Sequence, residues 1–375
     1  MSQLLCAAAN GLWYLSCLPG SLLFRRTLRD VAGTQRQVLA RLLRRNAATE
    51  FGRQHAFAAI HSIAEYQARV PLSTYDDYRE SIERIGLGQP DVLTHDPVLV
   101  LELTGGSTGA TRQIPYTAAL KAEYGRAIAP WIANLYTHNP RLLLGQAYWS
   151  VTPVARRNER TPGGIPVGFE EDSEYFGALQ RHLIQAVMAV PPLVRLIDDM
   201  EAFRYVTLLF LLRSRSLALI SVWNPTFLTL LIGRLAAWWP RLVDDIARGT
   251  ISAPAAVEPT LHTRLVALNR PDPRRAEEIR SLCRSVHDMG ALHTRLWPNL
   301  RLISCWTDAH AGMHVPELAR LFPQARVQGK GLLATEGVVS FPLAGHGGAA
   351  LAIRSHFFEF LPVGGGPVAL AHELE

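Results

Sequence analysis

Short apolar runs alternate with amphipathic stretches along the chain. Residues 98–103, 217–222 and 300–306 are short, mostly apolar runs that predict strands, and the run at 217–222 is of the continuous, buried type. Residues 118–138 instead repeat apolar positions at helical spacing. Because strands alternate with helices, we predict an α/β fold in which mixed and parallel sheets are flanked by helices.

The pattern differs between the two ends of the chain. Residues 1–95 are mostly helical by pattern, whereas 96–375 carry the strands, and we treat 1–375 as one large domain with these two parts. A β-rich portion is expected near the C-terminus. Residues 325–329 and 332–334 suggest a strand and a turn, and 357–361 a further strand. We expect 357–361 to be the final strand, before a Gly-rich turn.

Two apolar runs, 3–24 and 205–235, raise the question of a membrane. Both are interrupted, and a bilayer requires roughly 20 uninterrupted apolar residues. Residues 3–24 also lack the preceding positive charge of a signal peptide. We predict that they form a first helix packed on the domain, with peripheral membrane contact as the alternative. The second run is predicted to form a buried helix, a buried strand over 217–222 and another helix.

Composition excludes several classes of protein. The 375 residues are 48% hydrophobic and 19% charged, which excludes a disordered or collagen-like chain. Four scattered cysteines predict reduced thiols in a cytoplasmic protein rather than a disulfide scaffold. The net charge is +6, but basic residues are interleaved with acidic ones, so we expect no nucleic-acid partner. Only Lys121 and Lys330 are lysines.

Segment 104–117, T-G-G-S-T-G-A-T-R-Q-I-P-Y-T, carries the clearest chemical signal. Its glycines allow backbone N–H groups to turn toward an anion, and its hydroxyl groups and arginine add further donors. The combination is typical of a phosphate-binding loop, although it lacks the G-K-[ST] of the P-loop. A polar Gly-rich hairpin turn is the alternative.

The same segment resembles a known signature. T-G-G-S-T-G-A-T-R is similar to the T-S-G-T-T-G-x-P-K motif of acyl-adenylate-forming enzymes, and R-Q-I-P-Y-T resembles the plant auxin-responsive acyl acid-amido synthetases (the Gretchen Hagen family) and their bacterial relatives. Other segments resemble that family in the same order along the chain. They are 71–78, 147–153, 166–169, 332–337 and 356–362.

The resemblance implies a reaction and a fold. It implies the large domain of an adenylate-forming enzyme, which uses ATP and Mg²⁺ to adenylate a small carboxylic acid and then transfers the acyl group to an amino acid. Such a reaction requires positioning and neutralisation of phosphate charge more than a protein nucleophile. The partners it implies are therefore the acid and the amino acid.

The resemblance also implies roles for residues of the glycine-rich segment. Ser107 and Thr108 would hold ATP phosphates. Gly105, Gly106 and Gly109 would shape the turn. Arg112 stands where the superfamily motif usually has a lysine, so that the charge is kept while its geometry changes.

A second signature ends at Ala334-Thr335-Glu336. By that match Thr335 would contact the AMP phosphate and Glu336 would support Mg²⁺, for which a carboxylate is a suitable ligand. Leu332 replaces the usual aromatic residue of this signature. No histidine shows the spacing of a zinc site, His356 included.

The substrate pocket is expected at the ends of predicted strands. Trp223, Asn224 and Phe227 follow the strand at 217–222, where the resembled family builds part of its acid-binding cleft; core packing is the alternative. Asp308 and His310 follow the strand at 300–306, and His310 could deprotonate the incoming amine.

The resembled family has a third signature, Y-R-x-G-D, and a small C-terminal lid domain, and neither is found in this sequence. Because lid closure completes such sites, we expect amide synthesis by this chain alone to be impaired. A non-catalytic nucleotide- or acyl-binding remnant, or a scaffold for a separate C-terminal lid, is the alternative.

Overall fold

The computed structural model describes residues 3–104, 112–150, 159–168 and 178–374. The helices are α1 (Gln3–Thr27), α2 (Val31–Asn46), α3 (Glu50–Gln54), α4 (Ile63–Arg69), α5 (Arg79–Gly86), α6 (Ala118–His138), α7 (Ala178–Val187), α8 (Met200–Arg213), α9 (Pro225–Gly233), α10 (Leu235–Arg248), α11 (Pro259–Leu268), α12 (Pro273–Ser285), α13 (Met289–Leu296), α14 (Ala309–Gly312) and α15 (Val315–Leu321). The strands are β1 (Val98–Thr104), β2 (Arg112–Thr117), β3 (Gln146–Trp149), β4 (Leu217–Ser221), β5 (Leu302–Cys305), β6 (Arg326–Gly329), β7 (Leu333–Ala334), β8 (Gly337–Val338), β9 (Ser340–Pro342), β10 (Ala349–Leu351), β11 (Glu359–Phe360) and β12 (Ala369–Leu370).

These elements belong to two compact units that interleave along the chain. Unit 1 comprises Met1–Leu15, Leu135–Ala155 and Leu179–Lys330. Unit 2 comprises Ser16–Asn134, Arg156–Ala178 and Gly331–Glu375. The first strand begins at Val98, so the described elements before it are helical.

A parallel sheet with the strand order β3-β4-β5-β6 forms the centre of unit 1. Tyr148, Ile220 and Ile303 lie side by side in this sheet and belong to one buried core with α8 to α13. Because side chains alternate along a strand, the next row of residues lies on the opposite face. That row consists of Trp149, Ser221, Ser304 and Gln328.

The predicted helix, strand and helix within 205–235 are confirmed as α8, β4 and α9. Helix α8 is apolar on nearly every side because it is buried in the core of unit 1. Every residue of β4 is buried too. Pro225, Pro259 and Pro273 each occupy the first helical position of α9, α11 and α12, where the missing N–H costs no hydrogen bond.

Unit 2 contains antiparallel pairs: β1 with β2, β7 with β8, β9 with β10, and β11 with β12. The expectation that 357–361 holds the final strand is wrong, since β12 follows and pairs with β11. The glycine-rich turn allows this reversal, because Gly365 and Gly366 adopt positive φ angles of 78° and 131°.

Helix α1 has one buried and one exposed face. Cys6, Trp13 and Phe24 are buried, whereas Leu4, Leu12, Leu15 and Leu22 are exposed, as is expected at helical spacing. Among the described residues, no helix combines the length and hydrophobicity needed to cross a bilayer.

We predict that Asp245→Ala lowers the free energy of unfolding by about 3 kcal/mol, because it leaves several buried donors without an acceptor. The fully buried Asp245 carboxylate accepts hydrogen bonds from the Tyr205 hydroxyl at 2.7 Å, the Thr250 hydroxyl at 2.6 Å and both the amide and the hydroxyl of Ser252. Urea denaturation measures the change. Asp244→Ala is the matched control: Asp244 is exposed and its ion pairs are long, so its loss should cost less than about 1 kcal/mol. Equal losses in both variants would contradict the prediction.

Candidate functional site

The carboxyl ends of β4 and β5 in unit 1 bring the predicted residue Trp223 beside Trp306, to which the sequence assigned no role. Trp223 follows β4 and Trp306 follows β5, and their ring centroids are 5.6 Å apart. The amide of Trp306 donates to the carbonyl of Trp223 at 2.8 Å, which fixes the two chain segments side by side. Since open parallel sheets commonly bind ligands at this edge, the tryptophans are well placed for a substrate.

Lys330, which directly follows β6, lies at the same edge. Only 7% of Lys330 is exposed, and its Nζ donates to Ser221 Oγ at 2.6 Å. The ammonium group also lies 5.4 Å from the Trp223 ring centroid and 5.9 Å from that of Trp149, within cation–π range. A lysine buried in this way is a strong candidate for binding an anionic group.

Small polar side chains lie beside Lys330 at this edge of the sheet. Ser304 lies next to Ser221 in the sheet and is fully buried, and its hydroxyl has no hydrogen-bond partner among the described residues. Cys305 is buried as well. Burial raises the pKa of its thiol to about 11, although the positive charge of Lys330 opposes the shift. Among the described residues, this edge therefore combines the Lys330 ammonium with small polar groups, and the Cys305 thiol there is not a reactive thiolate.

Asn224 and Phe227, which were also predicted to line the pocket, make contacts that stabilise the local structure. Asn224 caps α9, since its Oδ1 accepts from the Thr226 amide at 2.9 Å and from the Thr226 hydroxyl at 2.7 Å. Phe227 packs against the core of unit 1, with its ring centroid 6.5 Å from that of Phe203.

Asp308 and His310 are both exposed and flank Ala309, at the start of α14. Ala309 has φ = 49°, a left-handed conformation that costs a residue with a Cβ about 1 kcal/mol or more. Such strain often accompanies a functional segment.

The glycine-rich segment belongs to unit 2. Gly105, Gly106, Ser107, Thr108 and Gly109 lie outside the described residues. The strands on either side are paired in an antiparallel hairpin that brings Thr104 opposite Arg112. The Arg112 guanidinium lies over the Tyr75 ring, 5.3 Å from its centroid.

The second signature is tied to this hairpin by two buried tyrosines. Tyr116 on β2 and Tyr124 on α6 have hydroxyl oxygens 3.0 Å apart. The Tyr116 hydroxyl donates to the carbonyl of Thr335, and the Tyr124 hydroxyl donates to the carbonyls of Ala334 and Thr335, the latter at 2.8 Å. Thr335 and Glu336 form the connection between β7 and β8. The two signature segments therefore meet in unit 2.

The charges near these tyrosines are negative. Burial raises the pKa of Tyr124 to about 12, the hydrogen bond from Tyr116 opposes this, and the charges of Glu336 and Glu102 raise it further. Glu336 is exposed. No group of three or more His, Cys, Asp or Glu side chains suited to a metal ion occurs in the part of the chain that is described.

Sequence reasoning assigned no role to Lys330 or to the two tyrosines. Lys330 had one usable signal, because it is one of only two lysines and directly follows a predicted strand. Tyr116 lies within the motif segment itself, but its partner is 219 positions away in the sequence. Only the fold shows that Lys330 meets β4 and that the tyrosines hold the second signature in place.

A family model described as the GH3 family N-terminal domain matches residues 23–327. Over 361 residues the chain is 26% identical to the probable indole-3-acetic acid-amido synthetase GH3.12 of Oryza sativa subsp. japonica, a match that covers 91% of this chain and 57% of the relative. It is 28% identical over 290 residues to the jasmonoyl--L-amino acid synthetase GH3.3 of the same organism, covering 75% of this chain and 62% of the relative.

A solved structure of the GH3.15 acyl acid amido synthetase superposes with a TM-score of 0.78 at 23% identity, and covers 94% of this chain and 63% of that one. This likeness confirms the predicted fold. The chain spans less than two thirds of the length of each of these three proteins.

We predict that the chain loses stability as the pH rises from 10 toward about 12, because the folded state holds Tyr124 protonated above its ordinary pKa of 10.0. The stabilisation is fully present below pH 10.0 and is lost as the pH passes the raised pKa. Urea midpoints measured across this range in the native chain and in Tyr124→Phe test it. The variant should be less stable by about 1 kcal/mol at neutral pH and should show a shallower alkaline decline. Parallel declines would contradict the assignment to Tyr124.

Proposed function

The chain belongs to the GH3 family, as its motifs predict, and from that premise we propose that it activates a small carboxylic acid with ATP and transfers the acyl group to the amine of an amino acid. The names of its relatives support this reaction class. The observation that supports it most is the contact of Tyr116 and Tyr124 with the carbonyl of Thr335, which joins the second signature to the hairpin of the first.

The proposed chemistry has two steps. A carboxylate oxygen of the acid attacks the α-phosphorus of the substrate ATP, and the bond to pyrophosphate breaks. The amine of the amino acid then attacks the acyl carbon, a proton leaves the nitrogen, and AMP departs. Both steps depend on holding charged groups in place and on neutralising phosphate charge.

We assign the nucleotide phosphates to unit 2. Ser107 and Thr108 would donate hydroxyl hydrogen bonds, with Gly105, Gly106 and Gly109 shaping the loop. Arg112 would add a guanidinium from the first position of β2. The backbone of Thr335 is fixed by the tyrosines, which leaves its partly buried hydroxyl to reach the phosphate of AMP.

Glu336 fits a role in holding Mg²⁺. Its carboxylate is exposed, and Glu102 supplies a second carboxylate whose charge also acts on Tyr124. Mg²⁺ is normally held by one or two carboxylates together with substrate phosphates, which agrees with this small donor set. When bound, the ion would neutralise negative charge on the phosphates.

We assign the acid to the carboxyl edge of the sheet in unit 1. The Lys330 ammonium would pair with the carboxylate, and Trp223 and Trp306 would contact its apolar part. Asn224 and Phe227 would support the position of Trp223 from α9. His310, exposed beside Asp308, would accept the proton from the amine. Four free cysteines agree with a cytoplasmic location.

We predict that the double substitution Ser107→Ala and Thr108→Ala weakens ATP binding at least about tenfold, because two donors to a charged phosphate are lost. Isothermal titration with Mg-ATP measures the affinity. Thr263→Ala with Ser285→Ala is the matched control, since both of these hydroxyl groups are exposed and bond only to nearby carbonyls of their own helices. Unchanged affinity in the double variant would contradict the assignment of the loop.

We also predict that Lys330→Met raises the KM for the acid at least about tenfold, while the KM for ATP changes much less. Acid-dependent exchange of labelled pyrophosphate into ATP measures both constants, with indole-3-acetic acid, the acid named for one relative, as the first probe. Lys330→Arg, which keeps the charge, should retain part of the activity. Equal effects on both KM values would contradict an acid-binding role. Nucleotide binding without exchange for any acid would favour the non-catalytic alternative.

A further inference from the structure

Unit 2 contains a second group of charged side chains, which no motif predicted. Arg41 on α2, Glu123 and Arg126 on α6, and Arg354 and His356 after β10 act on one another. Glu123 is only 6% exposed. Its two carboxylate oxygens lie 3.8 Å from Arg126 Nη1 and 3.6 Å from His356 Nε2. We call these five residues the basic cluster.

The position of the cluster is fixed by Gln35 of α2. Its side-chain amide donates to the carbonyl of Ile353 at 2.7 Å and to that of His356 at 2.9 Å, and accepts from the amide of Phe358 at 2.8 Å. The segment bearing Arg354 and His356 is therefore held firmly against α2. The guanidinium of Arg354 donates in turn to the carbonyl of Gly20 at 3.4 Å.

Positive charge exceeds negative charge in the basic cluster. The cluster contains three guanidinium groups, those of Arg41, Arg126 and Arg354, which act on one another, and one carboxylate, that of Glu123. The neighbouring Asp96 does not reduce this excess of positive charge, because Arg45 already pairs with the Asp96 carboxylate through two hydrogen bonds. Like charges this close repel one another unless an anion lies between them.

The pKa values of the side chains in the basic cluster also reflect this excess of positive charge. Burial, and then the charge of Arg126, lowers the pKa of Arg41. Burial, followed by the charges of Arg126 and Arg41, lowers the pKa of His356 to about 4, so its ring is neutral at physiological pH. Burial also raises the pKa of Glu123, although Arg126, Arg41 and Arg45 oppose this.

Several nitrogen atoms of the cluster have no hydrogen-bond partner among the described residues. They are Nη2 of Arg41, Nη1 of Arg126 and both ring nitrogens of His356, and all of them are buried. Since the neutral ring of His356 carries one N–H, three of these four atoms are donors. Buried donors without a partner are rare in native proteins, and each one calls for an explanation such as a bound ion. Several such donors beside an uncompensated positive charge indicate an anion.

We propose that the basic cluster binds a phosphoryl dianion, either inorganic phosphate or the phosphate of a small monoester. The excess of two positive charges matches the charge of such a group near neutral pH. Its oxygens could accept hydrogen bonds from Arg41, Arg126 and His356 at once, and guanidinium groups are well suited to phosphate.

The cluster adjoins the second signature. A Cβ added at Gly337 would lie 2.6 Å from Cε1 of His356, so the ring packs directly against the residue after Glu336. This site is separate in its residues from the glycine-rich loop, with which it shares no side chain. Its existence does not depend on the proposed reaction.

The test is an NMR titration of the His356 ring in the full chain with inorganic phosphate, against chloride at equal ionic strength. The His356→Gln variant identifies the signal. We expect phosphate, but not chloride, to move the signal and to raise the pKa of His356, because a neighbouring dianion favours the protonated ring. If phosphate does not move the His356 signal in the native chain, the proposal is overturned, whatever the variants show.

Substitutions test whether the phosphate response of His356 depends on the basic cluster or on the glycine-rich segment. Arg41→Gln should weaken the phosphate effect on His356 at least about tenfold, whereas Arg44→Gln, at an exposed position of the same helix, should not. Arg41→Lys should retain part of the effect if Arg41→Gln folds poorly. The Ser107→Ala, Thr108→Ala chain should respond to phosphate as the native chain does. A response lost in that double variant but kept in Arg41→Gln would overturn the proposal.

Glycerol 3-phosphate forms the second arm of the titration. Equal affinity for this ester and for inorganic phosphate would identify phosphate itself as the ligand, since only the phosphoryl group would be recognised. Tighter binding of the ester would identify a phosphate monoester, whose organic part makes further contacts. An Arg41-independent response to both would overturn the proposal.

Discussion

Two tyrosine hydroxyl groups hold backbone carbonyls of a segment that lies 219 and 211 positions away along the chain. Both tyrosines are buried and Thr335 is half-buried, so these hydrogen bonds are partly shielded from water. Tyr116 is part of the hairpin that carries the glycine-rich segment, and Thr335 belongs to the second signature. The proposed nucleotide site depends on this contact, because neither segment could hold phosphate and Mg²⁺ alone.

Much of the local structure could be predicted from the chain alone. The apolar run at 217–222 and the helical spacing at 118–138 predicted β4 and α6, because burial imposes these patterns directly. The predicted final strand was wrong, since the two residues of β12 are too few to leave a pattern. A pairing of that kind depends on the Gly-rich turn and on β11.

The side-chain contacts were harder to predict than the elements. Lys330 was visible in the sequence, but its contact with Ser221 spans 109 positions and crosses β5. In the sequence His356 begins the family-like segment 356–362 and lacks metal-ligand spacing, and neither feature points to its charged partner Glu123 on a distant helix. Motif reasoning finds residues whose chemistry is grouped along the chain. It misses groups that only the fold assembles, such as the basic cluster.

Hydrogen–deuterium exchange with and without Mg-ATP tests the central claim most directly, because it reports on both signature segments in one experiment. The account predicts that nucleotide protects 105–117 and 333–338 together in the native chain, and that both protections weaken when Tyr116 and Tyr124 are changed to phenylalanine. Protection of only one segment, or of neither, would contradict the claim that the tyrosine contacts assemble a single nucleotide site.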